Sequence, residues 1–159
     1  MAKQEIGFGE FLATVEPAHQ GFVSDLHSYL IDNGCKAKIE LKSNGYFISY
    51  ARDKRSVVNF LFRKKGMMVR IYGENAGKYP AFLETLPQEM MDAIAKAGIC
   101  KRLIDPEACN SRCKMGYDFA IGGERFTKCG YGCFMFFVGD ESNLYIRGFV
   151  ENEMRERAT

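Results

Sequence analysis

The chain has 159 residues, 47% hydrophobic and 26% charged, with a net charge of +2; that length and balance support a packed core and argue against disorder. No apolar run approaches the roughly 20 residues of a membrane span, and the opening Met1-Ala2-Lys3-Gln4-Glu5-Ile6 has no signal-peptide character. The expected compartment is therefore the cytoplasm, where thiols stay reduced.

The charge is unevenly distributed. Residues 1–35 carry Lys3 against five acids, whereas residues 36–70 carry ten Lys or Arg against Glu40 and Asp53. Such a basic segment can attract an anionic partner or simply form a solvated sheet face.

Residues 8–33 read as helical. Phe8, Phe11, Leu12 and Val15 recur at helical spacing, as do Phe22, Val23, Leu26, Leu30 and Ile31. Pro17 breaks the run, and Asn33-Gly34 stops it. A β region follows, in which Lys36, Lys38, Glu40 and Lys42 alternate with Ala37, Ile39 and Leu41. A hairpin turn centred on Asn44-Gly45 pairs Leu41 with Ile48 and Ile39 with Tyr50. Two more strands are predicted at 56–63 and 67–72, joined by Lys64-Lys65-Gly66.

A second helical stretch is predicted over 77–97, divided by Pro87 and ended by Gly98. The last third reads as β. Tyr117, Phe119 and Ile121 alternate, Gly122-Gly123 turns, and Glu124 to Lys128 return with Phe126 opposite Phe119. Further strands are predicted at 133–138 and 144–150, followed by a short charged tail from Glu151.

The order helix, four strands, helix, four strands prompts a search for self-similarity. A shift of 77 residues lays 66–75 on 143–152, where Arg70, Glu74 and Asn75 meet identical residues. The fold class expected is α+β: a single domain over 1–159 of two α-then-antiparallel-sheet halves, 8–75 and 77–152, with an internal duplication as one reading of the pattern.

Four cysteines form two pairs, Cys109 with Cys113 and Cys129 with Cys133. Extending the Gly122-Gly123 hairpin outward pairs Gly116 with Cys129 and gathers all four sulfurs toward its open end. Four thiolates around zinc, each ~2.3 Å from the metal, make a closed structural site with no open position for substrate. The other readings are small buried apolar side chains, a redox switch or an iron–sulfur cluster. Cys100 is a fifth thiol nearby, and Cys35 has no partner in sequence.

Gly73-Glu74-Asn75-Ala76-Gly77-Lys78 lies between a predicted strand and a predicted helix, but it is one residue short of a phosphate-binding loop and has Tyr79 where Ser or Thr would hold magnesium. His19 and His27 are the only histidines, and no catalytic motif accompanies them. The basic segment offers a second surface. Lys36, Lys38 and Lys42 share a strand face with Phe47, while Arg52, Lys54, Arg55, Arg63, Lys64 and Lys65 crowd the turns. Cations beside an exposed ring suit single-stranded nucleic acid.

Together these features predict a non-enzymatic binding or regulatory module, braced by zinc at Cys109, Cys113, Cys129 and Cys133, with a small ligand or a protein as partner. Tyr46, Tyr50, Phe60, Tyr145 and Phe149 are the aromatics available to line a cleft between halves. The alternatives are a nucleic-acid-binding protein using the 36–70 sheet, and a small thiol-redox protein or enzyme.

Overall fold

The computed structural model describes residues 7–43, 45–97, 117–128 and 134–157. Two helices open the chain, α1 (Phe8–Ala13) and α2 (Pro17–Asp32). Pro17 stands in the first turn of α2, where its missing N–H costs no hydrogen bond. The Gln20 side chain donates to the carbonyls of Leu12 and Val15, at 3.2 and 2.9 Å, and so staples the corner. At the other end of α2, Gly34 has φ +91°. This lets Cys35 N–H reach the Leu30 carbonyl at 3.0 Å and Gly34 N–H the Ile31 carbonyl at 3.1 Å, a Schellman stop that delivers Cys35 into the core.

Four strands follow: β1 (Lys36–Lys42), β2 (Gly45–Arg52), β3 (Arg55–Arg63) and β4 (Gly66–Ile71). A 3-10 turn (Ala76–Lys78) leads to α3 (Pro80–Leu83) and α4 (Gln88–Lys96). Pro87 divides these helices, as its sequence position predicts. Beyond them lie the hairpin β5 (Tyr117–Ile121) and β6 (Glu124–Lys128), then β7 (Met135–Phe137) and α5 (Asn143–Arg157).

The fold is α+β, but the strands do not form two matching halves. β7 joins the first sheet, giving an antiparallel order β1-β2-β3-β4-β7, while β5 and β6 pair separately. The strand predicted at 144–150 is helix α5, and the charged tail continues it to Arg157. Ile146, Phe149, Val150 and Met154 are buried at helical spacing, whereas Leu144 is 76% exposed. The 77-residue shift therefore lays strand β4 on a helix, and the likeness of 66–75 to 143–152 is one of residue types without a shared conformation.

The β1–β2 register also differs from expectation by two residues. Lys42 pairs with Gly45, Leu41 with Tyr46 and Ile39 with Ile48. A shift of two keeps every side chain on its predicted face, because the strand period is two. Phe119 does pair with Phe126.

One face of the sheet carries the core. A row of Ile39, Ile48, Phe60, Val69 and Phe136 crosses all five strands. Against this inner face pack Phe11 of α1, Val23, Leu26 and Leu30 of α2, and the buried stripe of α5. Phe149 is the hub on α5, with Phe134, Tyr79, Phe82 and Phe136 at ring distances of 4.7, 5.8, 5.9 and 6.2 Å.

Candidate functional site

The opposite face of the sheet carries the charge. Its rows follow from the register. Lys38, Ser49, Asn59, Arg70 and Met135 form one complete row across the five strands. The neighbouring row is Glu40, Phe47, Leu61, Met68 and Phe137, an apolar stripe begun by one carboxylate. Lys42 and Arg63 lie one row further, at the turn end. Leu61 is buried on this side, outside the main core, and Phe137 is 44% exposed.

Between Lys42, Phe47, Leu61, Arg63 and Arg70 the surface sinks into a hollow of about 180 Å³. Lys42 Nζ stands 4.8 Å from the centre of the Phe47 ring, a cation–π contact. Glu40 pairs with both Lys38 (3.1 Å) and Lys42 (3.4 Å). Hydrogen bonds from Lys38 and then Lys42 hold the Glu40 carboxyl below the usual carboxylate range.

Arg70 is held differently. Its Nη1 donates to Asn59 Oδ1 at 3.1 Å, and the Tyr72 hydroxyl donates to the same oxygen at 2.8 Å. Asn59 is only 2% exposed, and its amide donates to the Val58 carbonyl at 3.1 Å. The guanidinium is thus fixed by a buried amide, yet among the described residues no carboxylate pairs with it and its Nε has no acceptor. A half-buried cation kept without a counter-charge lowers stability, and an arriving anion would offset that cost.

Compared with protein-family models, curated proteins and solved structures, the chain gives no match.

Several of the predicted cations stand elsewhere. Arg52 donates to the carbonyls of Asn33 and Met154, tying β2 to the ends of α2 and α5. Arg55 pairs with Glu74. Lys36 and Lys54 are exposed at the far end of the strands from the hollow. Lys42, Arg63, Lys64, Lys65 and Phe47 do gather at one end of the outer face. α2 packs on the inner face through Val23, Leu26 and Leu30, so its acids stand across the sheet from these cations. Asn59, Arg70 and Tyr72 were not foreseen as site residues. The signal for Asn59 was a lone amide inside the apolar run Val57-Val58-Asn59-Phe60-Leu61.

The five aromatics assigned to a cleft pack in or against the core, and Tyr46 also lines the hollow. Tyr50, Phe60 and Phe149 are fully buried, and Tyr46 and Tyr145 pack against the same cluster. Tyr50 meets His27, with Nδ1 to hydroxyl at 2.7 Å, and His27 stacks on Phe8 at 3.7 Å. Burial lowers the His27 pKa. Burial likewise raises the Cys35 thiol, which makes it a poor nucleophile.

The Gly73–Lys78 loop already holds an anion of its own. Glu153 of α5, wholly buried, accepts from Asn75 N–H at 3.0 Å, Asn75 Nδ2 at 2.9 Å, the Tyr79 hydroxyl at 2.7 Å and Arg157 Nε at 2.8 Å. The loop thus serves as the anchor of the C-terminal helix.

Cys109, Cys113, Cys129 and Cys133 lie outside the described residues, as does Cys100. Their flanks are described. Tyr117 pairs with Lys128 at the open end of the β5–β6 hairpin. Phe134 stacks on Tyr117 at 5.5 Å and meets Phe119 at 5.2 Å. The three positions from which the chain runs on to Cys113, Cys129 and Cys133 are therefore close together. Lys128 Nζ also donates to the carbonyls of Ala95 and Ala97, at 2.9 and 3.1 Å, which joins this hairpin end to the last turn of α4.

Proposed function

We propose that this chain is a non-enzymatic binding module that holds single-stranded nucleic acid on the outer face of its sheet. The observation that carries this reading is the grouping of Lys42, Arg63 and Arg70 around Phe47 and Leu61, with the exposed pair Lys64-Lys65 at the adjoining turn. Cations neutralise backbone phosphates, while a ring on an open sheet gives a base a stacking surface. Three of the described residues that could act as acid, base or nucleophile, His27, Glu153 and Cys35, are engaged in the core, which supports a non-enzymatic role.

Fluorescence anisotropy with an unstructured oligothymidylate tests the reading. If the five cations each meet a phosphate, the logarithm of affinity should fall with that of salt at a slope of about −3.5. Phe47→Ala should weaken binding about tenfold with the slope unchanged, since it removes one stacking contact and no charge. Glu40→Gln should strengthen binding severalfold by releasing Lys38 and Lys42. Absence of binding at low salt would sink the proposal.

A structural zinc held by Cys109, Cys113, Cys129 and Cys133 is the accompanying proposal. It is supported by their paired spacing and by the close approach of Tyr117, Lys128 and Phe134. Four thiolates would close the metal shell, so the ion would brace the hairpin against α4 and take no part in ligand binding. Elemental analysis of protein purified without added metal should give about one zinc per chain. A metal-free chain that is fully folded would refute the site.

A further inference from the structure

We infer that the hollow on the outer face takes the terminal phosphate monoester of a nucleic-acid strand, with the adjoining base on Phe47. This rests on the nucleic-acid reading and sharpens it. Among the described residues the lining of the hollow includes Lys42, Arg63 and Arg70 but no carboxylate. Glu40 stands outside it, shared between Lys38 and Lys42. An internal phosphodiester brings one negative charge, whereas a phosphate monoester brings about 1.5 to 2 at neutral pH. Three cations converging on one small space match the second better than the first.

Size and position agree with this. A volume of about 180 Å³ is small beside the roughly 300–1,000 Å³ of pockets that enclose a whole drug-sized ligand. That suits a phosphate group, with the base outside on the Phe47 ring. The hollow sits at the turn end of the sheet, next to the Lys42–Gly45 and Arg63–Gly66 pairs, where the face runs out. A strand end fits such a place better than a strand passing through.

The path away from the hollow is also bounded. From Phe47 on β2 the apolar stripe runs to Phe137 on β7, three strand spacings or about 14 Å away. There a groove beside Met68, Met135 and Phe137 is rimmed by Glu89, Asp140 and Glu141. These carboxylates repel a polyanion, so the platform suits the last two or three nucleotides of a strand.

Arg70 is the residue on which the selectivity should depend. Asn59, itself held by the Tyr72 hydroxyl, fixes its guanidinium before ligand arrives; Nε is buried, so the outer Nη edge of the planar group is the part that can meet phosphate oxygens. Asn59 is in this scheme a positioning residue.

The test compares one oligothymidylate in three forms, with a 5′-phosphate, with a 3′-phosphate and with hydroxyls at both ends, alongside thymidine monophosphate alone. One phosphorylated form should bind at least about tenfold tighter than the hydroxyl form, the equivalent of ~1.4 kcal/mol. Arg70→Lys should reduce that preference to under about threefold, since it keeps the charge and loses the fork. Arg63→Gln, at an exposed position, should also lower the preference if the Arg70 variant folds poorly, with a loss for every strand and a salt slope shallower by about 0.7. Equal affinity of the three strands would overturn the terminal-phosphate inference and leave the nucleic-acid reading intact. Binding of the free nucleotide as tightly as the best strand would overturn it in favour of a mononucleotide ligand. No binding of any strand at low salt would overturn both.

Discussion

Replacing Glu153 by alanine is expected to lower the free energy of unfolding by about 3–5 kcal/mol, the usual consequence of removing one partner from a buried charge pair. Four donors converge on this carboxylate from three places: the loop after β4, the 3-10 turn and the next turn of α5. Truncation leaves all four without an acceptor. The Arg157 side chain is only 4% exposed, so its charge would stay buried with the Tyr72 carbonyl at 2.7 Å and Glu74 at 3.8 Å as its remaining partners. The Tyr79 hydroxyl cannot readily help by ionising, because its burial, the largest cause of its raised pKa, persists in the variant. Urea unfolding should show a lower midpoint at unchanged slope. The double variant Glu153→Met/Arg157→Met should recover part of the loss, since it removes the stranded charge as well. A single variant within about 1 kcal/mol of the parent would mean that α5 is anchored by its apolar stripe alone.

How far the sequence discloses this molecule depends on whether the deciding contact is local. Pro17, Gly34 and the paired Phe119 and Phe126 act within a few residues, and their elements lie where pattern and turn chemistry put them. The β1–β2 faces were legible for the same reason, although the turn position was not.

α5 failed as a prediction because Leu144, Ile146, Gly148 and Val150 alternate while Ile146, Phe149, Val150 and Met154 also keep helical spacing. Gly148 weakens the helical signal, and its reason is distant in sequence: a Cβ there would lie 2.8 Å from the Phe82 ring. The Asn75–Glu153 contact likewise joins residues 78 apart, with no motif to announce it.

The candidate site divides the same way. The cations of β1 and Phe47 could be assigned to one face from their period of two. The hollow could not, because Arg70 enters it only once β4 is known to lie beside β3. Nor could the acidic boundary, which exists because β7 joins the sheet next to β4.

Phe149→Ala should cost about 3–5 kcal/mol, at the upper end for large-to-small changes in a core, because the surroundings have little freedom to collapse into the space. Its ring meets Phe134, Phe82, Tyr79 and Phe136, which come from two segments of the chain, 79–82 and 134–136. The backbone is also close. A Cβ added at Gly73 would lie 2.7 Å from the Phe134 ring and 3.1 Å from that of Phe149, so strand end and rings are already in contact. Relaxation would have to move the end of β4, the base of the β5–β6 hairpin and α3 together, and each is held by other contacts. Phe149→Leu, which keeps most of the apolar volume, should cost distinctly less, about 1–1.5 kcal/mol. The contrast discriminates between the two conformations that the sequence allowed for this segment. A strand residue on a half-exposed face would lose under about 1 kcal/mol in either variant, whereas the hub of a helix packed on the sheet must show the large difference. Urea unfolding of both variants decides it. Because α5 lies on the face opposite the cations, oligonucleotide affinity should stay at its parent value in whatever fraction of Phe149→Ala remains folded.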